Sequence, residues 1–426
     1  MTPTTELLER RSRLLGAKAP LFYDEPVHIV RGEGVWLFDA GGKRYLDCYN
    51  NVPHVGHCHP HVVDALERQA RTLNVHTRYL HETILEYGER LTAKFDKSLS
   101  MVIFVCTGSE ANDIALRMAR QCSGGMGIIC TNMTYHGNTT AVDELATLFR
   151  GGEAIGPNVR AVPFPDSYRP LKGLSGEALA DAYADQVKAA IEAFRRDGIK
   201  LAGMLVCPIF ANEGLPHVPP GFLAKAVKHV RDAGGLFIAD EVQAGFGRTG
   251  RMWGHETTGV VPDIVTLGKP MGNGHPLAAV VARADLVNEF RDQVMYFNTF
   301  GGNPVSCAVG NAVLDVMEKE KLMDNARDVG AYVAESLGRL QDKHDIIGDV
   351  RCQGFWMAAE LVRDRHTKEP AADESKRAVN AMKDRGILMG RIGQFDNVLK
   401  MRPPMPFSRE HADLLLSNLD ETLAAL

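Results

Sequence analysis

Two single residues carry the clearest chemical signals in the chain. The apolar run 264–267 reads as a short buried strand, and it ends in Gly268, Lys269 and Pro270. Gly268 lets backbone approach a ligand closely, and Pro270 stops the strand. A lysine held at such a strand mouth loses its proton readily and becomes a nucleophile. A lysine in an ordinary surface turn has the same local sequence. The run 236–239 ends in Asp240 in the same way. Ligands of open parallel sheets bind beyond the carboxyl ends of strands, so Asp240 and Lys269 share one crevice if their strands are near each other. The plainer alternatives for Asp240 are a helix N-cap or half of an ion pair.

An aspartate and a lysine so placed match what pyridoxal 5'-phosphate requires. The amine takes the aldehyde, and the carboxylate keeps the ring nitrogen protonated, so that the ring accepts electrons. A site for the phosphate is legible too. Residues 101–106 read as a buried strand and Thr107-Gly108-Ser109-Glu110-Ala111-Asn112 as a small-residue turn, with a helix over 113–121. Free backbone N–H groups and the helix dipole favour an anion there, although a simple N-cap at Ser109 explains the pattern as well. Tyr135 follows the short strand 127–130 and precedes His136 and Gly137. An aromatic at that point stacks on a flat ring or packs into the core.

The elements that must hold these residues alternate between helix and strand from about 60 to 320, the pattern of an α/β fold with a mostly parallel sheet covered on both faces. Before it come a helix over 6–15 and an antiparallel meander over 27–47. After it come a helix over 325–341, a strand over 355–361, a helix over 375–385, short strands near 387 and 398, and a helix over 409–423. The expected division is 1–58 as arm and meander belonging to a smaller α+β domain, 59–320 as the large cofactor-binding domain, and 321–426 as the rest of the small one. Charged residues make up 24% and the net charge is -5, which gives no pull toward nucleic acid or an anionic membrane. No apolar run reaches transmembrane length and no signal-peptide core opens the chain. The eight cysteines form no CxxC pair and read as reduced thiols of a cytoplasmic protein. His57, Cys58 and His59 alternate faces on an extended chain, so no metal site is expected.

Taken together and in order, Thr107 to Asn112, Tyr135-His136-Gly137, Asp240 to Gly250 and Leu267-Gly268-Lys269 resemble the class III pyridoxal-phosphate aminotransferases of fold type I. The resemblance runs from about Phe22 to the C-terminus. It implies that Lys269 carries the cofactor and moves protons, that Asp240 pairs with the pyridine nitrogen, and that Gln243 lies near the ring hydroxyl. It implies Val242 and Tyr135 on the two ring faces, with His136 beside them, and Gly108 and Ser109 around the phosphate. Thr299 is expected to complete that phosphate site from the neighbouring subunit of a homodimer or dimer of dimers.

Three stretches, 50–60, 268–276 and 297–307, resemble the branch of ethanolamine-phosphate phospho-lyases, which eliminate phosphate from an amine. Two departures from the wider family agree. The common Glu-Pro-x-Gln is replaced by Cys207-Pro208-Ile209-Phe210, and Lys400 stands where relatives that bind α-carboxylates have arginine. Lys18, His76, Arg78, Lys400 and Arg402 are the candidate cations for a substrate phosphate. A class III ω-amine:α-keto acid transaminase is the alternative reading, and a non-catalytic binding protein on the same fold the third.

Overall fold

A computed structural model describes residues 3–151 and 156–426. Both strand-end residues sit on one seven-stranded sheet. Its strands lie side by side in the order Met101–Val105, Ala278–Ala282, Ile264–Leu267, Leu236–Asp240, Leu201–Val206, Gly127–Thr131 and Val159–Val162. All run the same way except Ala278–Ala282, which is antiparallel to both neighbours. Helices cover both faces, which is why Leu201–Val206, Ile264–Leu267 and Gly127–Thr131 are buried at every residue and read as unbroken apolar runs.

The helix Gly108–Ser123 starts five residues before the pattern of apolar side chains predicts it. Thr107 and Glu110 form a reciprocal capping box that fixes the start at the strand end. The expected break within 61–95 separates Pro60–Thr72 from Glu82–Thr92. The antiparallel strand Ala278–Ala282 was not anticipated. Five small or β-branched residues behind a glycine turn carry no polar alternation to mark them.

Two smaller sheets flank the large one. The N-terminal meander Ile29–Glu33, Trp36–Asp39 and Arg44–Asp47 is extended by Ile387–Leu388, which pairs parallel to Arg44–Asp47. Ile347–Gln353, Trp356–Asp364, Val398–Met401 and Gly390–Ile392 form the other. The strand Val398–Met401 delivers Lys400 and, one residue beyond its end, Arg402. Among the described residues no helix is long and apolar enough to cross a membrane.

Candidate active site

The strands of Asp240 and Lys269 are adjacent and parallel, so their carboxyl ends open on the same side of the sheet. There a cavity of about 120 Å³ is lined by Gly108, Ser109, Tyr135, His136, Val242 and Gln243, together with Asp240 and Lys269 themselves. Every residue that the sequence assigned to the cofactor is therefore in one place, except Thr299. Thr299 lies exposed on the loop after Tyr296, next to Asn298, whose amide donates to Glu110 (3.3 Å).

Three donors converge on the buried Asp240. Its Oδ1 accepts from the Val242 amide (3.0 Å), and its Oδ2 accepts from His136 Nδ1 (2.6 Å) and Asn112 Nδ2 (3.1 Å). Asn112 is oriented in turn by the Thr266 hydroxyl (2.7 Å) and by the His136 carbonyl (2.6 Å). It was read only as part of the helix-start motif. Burial lowers the Lys269 pKa, partly countered by Asp240, so the neutral amine is nearer to hand than in water.

The floor of the cavity is made by close backbone packing. A Cβ on Gly108 would lie 3.0 Å from the Val242 methyls, and one on Gly137 would lie 2.7 Å from Ser109 Oγ. Gly137 has φ 147°, in the region that favours glycine. The first-turn amides of the Gly108–Ser123 helix have no intrahelical acceptors, so they are available to an anion. Tyr135 and Val242 both line the cavity, with Tyr135 edge-on to Phe149 at 5.4 Å. A flat ring with a phosphate tail, an acid-paired nitrogen and a lysine-reactive aldehyde fits these residues.

A second group of charges stands beside the first. Lys400, Arg402 and Arg248 are all buried, and among the described residues none makes an ion pair with a carboxylate. Arg402 is clamped by its neighbours. Its Nε donates to the Tyr49 carbonyl (2.7 Å), its Nη1 donates to Gln243 Oε1 (2.6 Å), and its guanidinium lies over the Tyr49 and Trp356 rings at 4.7 and 5.6 Å. Arg248 donates to the Pro403 carbonyl (2.7 Å) and meets His54 Nδ1 at 3.3 Å. Burial and then Arg402 lower the Arg248 pKa to about 9. Burial, then Arg402 and Lys269, push Lys400 well below the usual lysine range. Asp47 is the acid nearest Arg248 and Arg402, and Glu213 acts on Lys400 at longer range, but neither is paired with these cations, and three buried cations with no ion-paired carboxylate mark a place suited to an anion.

The other candidate cations are elsewhere. Lys18 is exposed on the N-terminal arm. His76 stacks on Tyr79 (5.0 Å), and Arg78 lies over Phe297 (4.7 Å) at the edge of a separate cavity of about 550 Å³. Within one chain these three do not join Lys269. The possible metal motif is also dispersed: His57 pairs with Asp47 (2.8 Å) and His59 with Glu320 (3.0 Å).

One acid was missed altogether. Where the family's glutamate was sought, the structure has buried Cys207. Six residues on, the same loop supplies Glu213, fully enclosed and bonded to the Thr131 hydroxyl (2.6 Å). Its neighbour Asn212 accepts from Gln243 Nε2 (3.0 Å) and donates to the Tyr135 carbonyl (3.0 Å). Only tertiary structure reveals either role, because the loop lacks the spacing of a known motif.

This fold and site define an enzyme of the pyridoxal-phosphate-dependent fold type I class. Residues 22–423 match the family described as Aminotransferase class-III, and the chain belongs to that family. It is 41% identical over 99% of its length to the Drosophila melanogaster "Alanine–glyoxylate aminotransferase 2-like" protein, of which 87% is covered. It is 35% identical, again over 99%, to the Caenorhabditis elegans "Ethanolamine-phosphate phospho-lyase homolog 1", of which 94% is covered. Among solved structures it resembles an Arthrobacter phospholyase in complex with phosphoethanolamine, with a TM-score of 0.95 and 45% identity over 99% of this chain and 100% of that one.

Proposed function

We propose that the enzyme is a phospho-lyase that converts O-phosphoethanolamine, or a similar phosphorylated amine, to an aldehyde, ammonia and inorganic phosphate. The observation that carries this reading is the pair of buried cations Lys400 and Arg402 next to Lys269, neither in an ion pair with a carboxylate, with Arg248 behind Arg402. The resemblance to a phospholyase with phosphoethanolamine bound supports it.

Pyridoxal phosphate, when bound, supplies an electron sink next to the substrate nitrogen. Gly108 and Ser109 would hold its phosphate, Tyr135 and Val242 would flank its ring, and Asp240 would pair with the ring nitrogen. Lys269, its pKa lowered by burial, takes the proton from the carbon next to the substrate nitrogen. Lys400 and Arg402 grip the substrate phosphate and stabilise the charge that builds on it as the carbon–oxygen bond breaks. A grip that aligns that bond would favour loss of phosphate over amino-group transfer. The test is release of phosphate from O-phosphoethanolamine by purified holoenzyme with no keto acid present. If none is released, and amino groups instead pass from simple amines to pyruvate, the proposal is wrong.

The second reading, an ω-amine:α-keto acid transaminase, is favoured by the 41% identity to the aminotransferase-named relative. The same cations would then take an acceptor carboxylate. Lys400 suits a phosphate as a point charge better than it suits a planar carboxylate, for which the arginine fork is made.

The proposal extends to assembly. Exposed apolar residues, among them Tyr79, Leu80, Met295, Phe297 and Phe300, crowd the segments around the 550 Å³ cavity. Covering them with a second copy would bring Thr299 toward the partner's cofactor phosphate, and Arg78 with it. A cytoplasmic location is proposed from the eight cysteines, all of them free thiols.

A further inference from the structure

Each hydrogen-bond partner of Arg402 among the described residues is neutral, and the hold can be followed away from the cation. Arg402 Nη1 donates to Gln243 Oε1 (2.6 Å), Gln243 Nε2 donates to Asn212 Oδ1 (3.0 Å), and Asn212 Nδ2 donates to the Tyr135 carbonyl (3.0 Å). All three side chains are buried. Sheet order explains the path. Tyr135, Asn212 and Gln243 follow the strands Gly127–Thr131, Leu201–Val206 and Leu236–Asp240, which are parallel neighbours in that order. Their loops therefore leave the sheet side by side, and the last link crosses to Arg402 at the end of Val398–Met401.

The two groups that end this path have only one role each. A backbone carbonyl only accepts, and a guanidinium only donates. The Tyr135 carbonyl takes Asn212 Nδ2, which turns Asn212 Oδ1 toward Gln243. That oxygen takes Gln243 Nε2, which turns Gln243 Oε1 toward Arg402. Reading from Arg402 gives the same sense. Reversing either amide would set donor against donor and acceptor against acceptor.

Asn212 itself stands on a braced loop. Glu213 accepts from the Thr131 hydroxyl (2.6 Å) and from the Asn212 amide (3.1 Å), and the Gly214 carbonyl accepts from Arg351 Nη1 (2.7 Å). Phe210 and Leu215, neither of them glycine, bracket the turn with φ of 50° and 57°, a conformation that costs free energy and persists only where the surroundings impose it. Gln243 has a second tie, since its carbonyl accepts from Trp356 Nε1 (3.1 Å), and the Trp356 ring lies against the Arg402 guanidinium (5.6 Å).

A carboxylate at 243 would also hold Arg402, but it would neutralise it. An amide holds the guanidinium by a charge-assisted bond and leaves its charge for a ligand. We infer that Asn212 is a positioning residue that, through Gln243, fixes the Arg402 guanidinium without neutralising it, in the place from which it meets the substrate phosphate. The last clause rests on the proposed phospho-lyase reaction; the fixing of Arg402 does not.

The experiment is nitrogen NMR of holoenzyme labelled with ¹⁵N-arginine, in the wild type, N212L and N212A, with the Arg402 signals assigned by their loss in R402K. The expected result is separate Nη signals for Arg402 in the wild type, because Nε and Nη1 are both held, and averaged signals in each Asn212 variant. Phosphate release from O-phosphoethanolamine should fall about tenfold in kcat/KM, the cost of one misdirected charge-assisted bond. Borohydride should still fix the cofactor to the Lys269 peptide to the wild-type extent. Averaged signals in the wild type, or separate signals in a folded variant, overturn the inference. So does a loss of cofactor attachment that matches the loss of turnover, which would make Asn212 a packing residue only. Should N212L fail to fold, N212A, which adds no bulk, decides the matter. Averaged signals with unchanged kcat/KM would overturn the link to phosphate capture. A wild type that releases no phosphate would defeat the phospho-lyase reading, and the Arg402 signals would still decide whether Asn212 fixes that cation.

Discussion

Replacing Lys400 by methionine should move stability and activity in opposite directions. The methionine keeps most of the side-chain volume and removes the charge. In the cofactor-free protein Lys400 is buried, with Arg402 and Lys269 opposing its charge and only Cys207 and Glu213 favouring it at a distance. Exchanging buried charge for apolar bulk is neutral or stabilises by about 1–4 kcal/mol. Its pKa in the folded chain lies below the unfolded value of 10.5. Between those two values the unfolded chain binds the extra proton, so this group makes stability rise with pH through that window. K400M should be the more stable protein at neutral pH, and its advantage should shrink as pH approaches 10.5. Catalysis should suffer instead. One charge-assisted bond to the leaving phosphate contributes about 1.5–3 kcal/mol, which corresponds to a loss of roughly 10- to 150-fold in kcat/KM for phosphate release. Denaturant melts of the apoprotein across pH, alongside phosphate-release kinetics, read both effects. A variant that melts earlier and loses activity to match would mean that Lys400 is simply part of the core. A variant with unchanged kcat/KM would remove it from the phosphate site.

Borohydride reduction of the holoenzyme followed by digestion should leave the cofactor on the Lys269 peptide, and recovery on any other lysine would undo the assignment. D240N should lower kcat by about 10- to 100-fold through loss of a charge-assisted bond, with its far-ultraviolet spectrum unchanged. An active D240N would show that ring-nitrogen protonation needs no carboxylate. Sedimentation should give a dimer or a dimer of dimers, and Leu80→Asp, at a residue 100% exposed in the single chain, should dissociate it and weaken cofactor retention. A fully active monomer would contradict the shared site.

The parts of the site that could be read from sequence are those where one strand or one turn decides the outcome. Lys269 and Asp240 close apolar runs, and the Thr107 to Asn112 turn opens a helix, so local pattern sufficed. Glu213, Asn212 and Arg248 could not be read this way. Each gains its meaning from chain far away in sequence, as when Arg248 reaches the Pro403 carbonyl. Cys207 does stand where the family has its glutamate, while Glu213 at the far end of the same loop bonds to Thr131. The parallel core was legible from alternation of helix and strand. The antiparallel Ala278–Ala282 was not, because direction within a sheet is set by pairing and leaves no mark on five apolar residues.

That strand has a consequence for tolerance to insertion and deletion. Ala278 pairs with Val105 and Ala279 with Leu267, so two segments 162 positions apart in the chain are held level across it. Val105 leads into the phosphate cradle and Leu267 into Lys269. The strand would act as a gauge block between the two ends of the proposed cofactor site. Length changes in the glycine turn at 272–274 should be absorbed, because that turn lies before the block. A single residue inserted within 278–282 would turn every following side chain to the other face. It would also break the register with both neighbouring strands at once.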